Sequence, residues 1–319
     1  MTQTPAGSPA GVRLSGDRRI AELAVLGMMV IWAANFIVVK DVIKVMPPVA
    51  FTFLRYLVAT TALLSFLRWQ TGSLRLPHPD TIRIVLLGAL GFGLYQILWT
   101  VGLQTTPAGD SALLIASAPV LTAVIAAAIG VDTLSPQRAF GVGISFVGVI
   151  IVVAGGVGIE LAGSPVGFAM TLTAAFCWAL YTAVGAGFLR RHSPLALTAW
   201  ASLGGTLALA PIGLGQLLAP VAIGGEQAAD VVPIALAVLY SGLLAAAAAN
   251  VIIFHAIGLV GPTRVIALQT FVPALAVVFA AIFLGEPIRP AQVIGGVVIV
   301  AGVSLTRRTP GRRVVRRTA

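Results

Sequence analysis

The chain has 319 residues, 58% of them hydrophobic and 9% charged, with a formal net charge of +10. A soluble domain carries roughly 25% charged residues, so this composition excludes a water-facing surface around the chain and, with a mean hydropathy of +1.02, specifies a polytopic membrane protein. The positive charge does not point to nucleic acid, because it is gathered in Arg13, Arg18 and Arg19 before the first apolar run and in Arg307, Arg308, Arg312, Arg313, Arg316 and Arg317 after the last; such juxtamembrane clusters mark the cytoplasmic side and attract anionic lipid headgroups.

Residues 1–19 read as a polar cytoplasmic tail. A basic start before an apolar run also suits a signal peptide, but 20–39 is longer than the roughly 7–15 residues of its apolar core, so it is read as a spanning helix. Apolar runs of about 20 residues, the length that spans a bilayer, follow at 48–68, 82–104, 108–130, 138–157, 165–189, 194–217, 232–258, 262–284 and 290–306. Tight turns at Thr105-Thr106-Pro107 and Val260-Gly261-Pro262 join two pairs of them, and Ala219–Asp230 is the longest loop candidate. Residues 307–319 form a basic cytoplasmic tail. Cys177 is the single cysteine and lies in an apolar run, which leaves no intramolecular disulfide and no cysteine metal cluster. With ten spans and both termini inside, sixteen Lys and Arg fall on the cytoplasmic side against three outside (Lys40, Lys44 and Arg289), with Arg55 inside a span. An odd number of spans would put one Arg-rich tail on the wrong side.

The chain also repeats itself. ASAPVLTAVIAAAIGVD at 116–132 and TFVPALAVVFAAIFLGE at 270–286 place Pro119 and Pro273 154 positions apart (273 − 119), and Asp132 and Glu286 by the same step. At this offset Gln96 matches Asn250, Pro136 matches Pro290 and Gly141 matches Gly295; further upstream the offset is 146, pairing Trp32 with Trp178 and Pro48 with Pro194. The expected fold is therefore all-α, ten transmembrane helices as two inverted five-helix repeats, 20–157 and 165–306, since an odd number of spans turns the second copy over. Many secondary transporters have this architecture.

The pattern Trp32-x-x-Asn35…Lys40, Pro48…Arg55, a proline-bearing helix ending in an acid, then a glycine-rich helix, resembles the drug/metabolite transporter superfamily and its EamA-type members. Phe283-Leu284-Gly285-Glu286-Pro287-Ile288 is similar to that family's Leu-Gly-Glu segment, whereas the first copy departs from it with Gly130-Val131-Asp132-Thr133-Leu134. The resemblance covers residues 20 to 306 and implies export of amino acids or related metabolites. Lys40 matches the family's recurrent lysine, which implies a guard at the cavity mouth.

Polar side chains inside a bilayer are costly and mark function. Trp32 and Asn35 share one helix face by their spacing, as do Trp178 and Tyr181. They are expected to wall a substrate cavity, the alternative being interhelical packing. Tyr95, Gln96 and Trp99 on the third span, Asn250 on the eighth and Gln269 on the ninth join this set, because uncharged amides both donate and accept. His255, Glu22 and Lys40 are the candidates for coupling or gating, with an interfacial place as the alternative for the first two. Arg55 needs a partner, Asp41 or a helix C-terminus, or a snorkelling route to the outer headgroups, and is read as an anchor more than as a substrate contact. Pro119 and Pro273 are expected kinks. Gly141, Gly143, Gly148, Gly295, Gly296 and Gly302 make packing or homodimer surfaces of two helices.

These features point to a secondary transporter in the cell membrane, effluxing a small polar or amphipathic metabolite, an amino acid-like solute or an amine. The partners implied are this solute and membrane lipid, and no cofactor or metal is implied. An uncoupled exchanger, a facilitator or a channel is the alternative. A membrane-embedded enzyme would need a nucleophile with a base, an acid pair or a metal cluster, and the three histidines, His78, His192 and His255, stand apart. An ATP-driven pump would need a P-loop.

Overall fold

In a bilayer, backbone groups must find their partners inside the protein, and the apolar runs accordingly form helices. The computed structural model describes residues 10–75, 78–130, 135–157, 164–189, 191–219, 231–260, 268–269 and 271–308. In chain order these are α1 (Ala10–Val42), α2 (Pro48–Thr71), α3 (His78–Gly88), a π-helical segment (Ala89–Leu94), α4 (Tyr95–Thr105), α5 (Ala108–Ile115), α6 (Ala118–Ala128), α7 (Pro136–Val157), α8 (Pro165–Phe188) and α9 (Pro194–Leu218). Then come α10 (Val231–Leu239), a second π-helical segment (Tyr240–Ala248), α11 (Ala249–Val260), α12 (Phe271–Leu284) and α13 (Pro290–Arg308). Among the described residues, eight helices, from Arg19–Val42 to Val231–Ile253, are long and apolar enough to cross a membrane, and Phe271–Leu284 and Pro290–Leu305 are shorter apolar helices.

The eight correspond to the first eight expected spans. α1 begins at Ala10, inside the stretch expected to be a tail. The start of the ninth expected span, Asp132, Gly261 and Pro262 of the expected turn, the expected loop beyond Ala219 and the basic C-terminal tail beyond Arg308 lie outside the described residues, as does the side chain of His255.

Proline sets many of the boundaries. α2, α7, α8, α9 and α13 each begin on one, where the missing N–H is not needed and φ is already helical. Ser164 and Ser193 cap α8 and α9, their hydroxyls accepting from the Val166 and Ala196 amides, the usual N-cap economy. Pro119 follows the same logic. The fourth span breaks at Ala116 and Ser117, and Pro119 stands in the first turn of α6; Pro273 is the third residue of the described segment Phe271–Leu284. Pro119 thus begins a helix instead of bending the interior of one, whereas residue 270, just before the segment that carries Pro273, lies outside the described residues. At the first break, the Ser117 hydroxyl donates to the Leu114 carbonyl at 2.6 Å.

The π-helical segments share the repeat offset. Ala89–Leu94 maps by 154 positions onto 243–248, inside Tyr240–Ala248. Both lie directly before the matched amides Gln96 and Asn250, and π-helical turns gather at functional sites.

The glycine-rich helices α7 and α13 pack on each other within one chain. A Cβ at Gly148 would lie 2.7 Å from the Ile299 amide nitrogen, one at Gly295 would lie 2.6 Å from Val152, and one at Gly302 would lie 2.4 Å from the Ser145 amide nitrogen. Their outer faces carry exposed apolar side chains such as Phe140, Ile150 and Val297. α2 meets α9 through a buried hydroxyl seam, Thr60 Oγ1 lying 2.6 Å from Ser202 and 2.8 Å from Thr206. α1 is tied to the second π-helical segment by Trp32 Nε1 donating to Ala245 O and Tyr240 OH donating to Ile31 O, both at 2.8 Å.

Candidate functional site

The two copies meet around a cavity of about 280 Å3, near the lower end of small-molecule sites, which run from roughly 300 to 1,000 Å3. From the first copy α1 supplies Trp32, Asn35 and Phe36, α2 supplies Arg55 and Tyr56, and α4 supplies Tyr95, Gln96 and Trp99. The second copy contributes Trp178 from α8, Asn250 from α11 and Gln269, with Pro119 and Pro273 also on the wall. The matched amides Gln96 and Asn250 therefore face one space.

The aromatic rings form a continuous surface. Tyr95 stacks on Trp99 with ring centres 6.4 Å apart and planes 2° from parallel, and Trp178 packs on Tyr95 at 5.5 Å and on Phe92 at 5.6 Å. Phe36 meets Trp99 edge to face at 5.3 Å. Tyr181 is not on the wall. It packs behind it, 5.3 Å from Trp178 and 5.0 Å from Phe92, because Gly91 leaves room for its ring: a Cβ there would lie 2.4 Å from it.

Arg55 takes partners other than those expected. Asp41, at the C-terminal end of α1, pairs with Lys44 at 2.9 Å. The Arg55 guanidinium instead donates to Ser241 Oγ at 2.7 Å and to Gln96 Oε1. The Ser241 hydroxyl donates in turn to Asn35 Oδ1 at 2.6 Å, and Gln96 Nε2 donates to Tyr56 OH at 2.8 Å. Both amides expected on the first-copy wall are thus fixed in orientation by one buried cation, 3% exposed. Ser241 and Tyr56 had no periodic signal of their own. Phe36, four residues after Trp32 and so on the same face, could have been read from spacing.

A second polar group gathers where α1, α4, α5 and α13 come together. Lys40 Nζ donates to the carbonyls of Leu103 at 2.5 Å and Thr106 at 2.8 Å, a cation on the last turn of a helix as its dipole favours. Gly285 leaves α12 with φ 67°, a conformation that favours glycine, and the chain turns so that Glu286 accepts from the Ala108 and Gly109 amides at 2.8 and 3.3 Å. The carboxylate thereby caps α5, a helix of the other copy. Arg289 spans Asp110 and the Gly155 carbonyl. Leu284-Gly285-Glu286 is therefore a clasp between the copies. Glu22 stands half-buried on α1, away from the cavity wall.

An aromatic cavity inside a bundle of apolar helices, its first-copy amides oriented by a buried cation and its two copies tied by charged side chains, is the build of a membrane transporter. The chain belongs to the EamA-like transporter family, whose model matches residues 19–154 and 165–308. It is 31% identical over 287 residues to a protein of Streptantibioticus cattleyicolor named "Probable terminal-alkyne amino-acid exporter", covering 89% of this chain and 93% of the relative. It is 28% identical over 297 residues to the "Probable amino-acid metabolite efflux pump" of Salmonella typhimurium, covering 90% and 94%. A protein crystal structure shares the fold with a TM-score of 0.62 at 17% identity, covering 94% of this chain and all of the other.

Proposed function

We propose that this protein is a secondary transporter that exports a small polar or amphipathic metabolite across the cytoplasmic membrane by alternating access. Its two five-helix repeats, inverted relative to each other, rock about the cavity, and both termini face the cytoplasm. The observation that carries this reading is the pair of matched amides, Gln96 and Asn250, one from each copy on a single aromatic cavity. A site shared by two copies of one unit is what alternating access needs, since each copy can swing against the other while the solute stays between them. Charged side chains join the copies at two places, Glu286 and Arg289 on α5 and α7 and His192 with Arg191 on Asp80, contacts that would have to open and re-form as the copies rock. The relatives named as an exporter and an efflux pump support outward movement and an amino acid-like solute, with an amine as the other class the aromatic wall accepts.

In proteoliposomes loaded with candidate solutes, Asn35→Ala should slow protein-dependent flux by about tenfold or more, the worth of a buried hydrogen bond to a charged network, while insertion stays at the wild-type level. Flux equal to wild type would return Asn35 to a packing role, and no solute gradient depending on the protein would end the carrier reading. Reporters fused to the two ends should both read as cytoplasmic. An external signal from either would overturn the ten-span orientation.

A further inference from the structure

We infer that the solute is a small monocarboxylate with an apolar, uncharged body, and that Arg55 is the residue that binds its carboxylate; this deepens the carrier reading above and rests on it. Arg55 is the one charged residue among the described residues that line the cavity. A guanidinium has five N–H donors. Two of them are used on neutral acceptors, Ser241 Oγ and Gln96 Oε1, and Nε is buried with no hydrogen-bond partner. The aromatic rings around it lie within cation–π range, Tyr56 at 5.3 Å and Trp99 at 5.4 Å. Neutral acceptors and ring faces ease the burial but leave the charge in place, and among the described residues no carboxylate pairs with it.

An unpaired cation within a membrane is expensive, and intramembrane charges face cavities where they meet an ion. The charge arithmetic selects the ion. A monocarboxylate brings the empty cavity from +1 to zero, a zwitterion leaves it at +1, and an amine raises it to +2. Arg is also the side chain whose planar fork matches a carboxylate, and its remaining N–H groups stand ready for two oxygens. The rest of the wall is mostly rings and aliphatic side chains; of its uncharged polar groups, Asn35, Gln96 and Tyr56 are already bonded within the Arg55 network, and Asn250 and Gln269 stand outside that network. It offers no fixed negative charge to hold an ammonium. The body of the solute is accordingly apolar, and flat rings suit it.

Four probes with one phenyl body separate the possibilities: 3-phenylpropionate, L-phenylalanine, 3-phenylpropionamide and phenethylamine. Binding of each to the full chain in lipid nanodiscs, measured by calorimetry, should favour 3-phenylpropionate over its amide by about tenfold or more, with phenylalanine between them and the amine weakest. In Arg55→Gln the carboxylate and the amide should bind within about twofold of each other. Arg55→Lys, which keeps the charge without the fork, should retain part of the preference and serves if the first variant does not fold. Equal binding of carboxylate and amide to the wild type, binding of none of the four, or a full preference surviving in both variants would overturn the assignment. Flux of the same probes in proteoliposomes is scored apart. Selective binding without flux would leave Arg55 its role and sink the carrier, whereas flux of phenethylamine without carboxylate binding would do the reverse.

Discussion

Arg289→Ala should lower the unfolding midpoint of the detergent-solubilised protein more than any substitution on the cavity wall. Its partner Asp110 is 0% exposed, with one carboxylate oxygen already lacking a hydrogen bond. Removing one member of a buried pair strands the other charge and costs about 3–5 kcal/mol. The loss also releases the Gly155 carbonyl, which Arg289 holds at 2.9 Å, so the start of α13 comes free of α5 and α7 together. Replacing both charges, Arg289→Met with Asp110→Leu, should recover most of the midpoint, because apolar pairs of similar volume often match a buried ion pair. A single variant as stable as wild type would mean that the clasp carries no load.

Gly204→Val should prevent the bundle from assembling. A Cβ on Gly204 would lie 1.9 Å from the Val85 carbonyl oxygen and 2.7 Å from its carbon, and one on Gly88 would lie 1.9 Å from the Ala201 oxygen. α3 and α9 therefore touch backbone to backbone at reciprocal points. The obstacle is main chain and cannot rotate away, so the effect goes beyond the roughly 1–3 kcal/mol of an overpacked core. The expected result is loss of monodisperse protein after solubilisation. Gly187→Ala, at a helical glycine with nothing within 4 Å of the added Cβ, should be tolerated, with a gain of about 1 kcal/mol in helix propensity. Wild-type yield from Gly204→Val would disprove the close approach.

Much of the bundle was legible in the sequence, because a helix that crosses a bilayer must be written as one long apolar run, and composition alone reveals it. The cavity wall was partly legible. Trp32, Asn35, Tyr95, Gln96, Trp99, Trp178, Asn250 and Gln269 were singled out as costly or aromatic groups in apolar runs, and the structure brings these eight to one wall. Tyr181 shares the spacing of Asn35 but not its place, since what holds it behind the wall is the gap at Gly91, on another span. Arg55 was noticed but its environment was not, because its partners Gln96 and Ser241 lie 41 and 186 residues away and neither carries a charge to suggest the pairing. Pro119 was read as a kink where it starts a helix. That distinction depends on whether the preceding turn stays helical, which Ala116 and Ser117 decide locally. The π-helical segments left no trace, because one extra residue in an apolar helix changes neither its composition nor its ends.

That extra residue has a use. An α-helix turns about 100° with each residue, so gaining or losing one residue within Ala89–Leu94 would swing Tyr95, Gln96 and Trp99 about a quarter turn around the helix axis while the span still crossed the bilayer. The same holds for Asn250 and the segment before it. Insertion or deletion at these two places is thus a way to change what the protein carries without rebuilding the membrane part that carries it, and the same adjustment is available to each half separately.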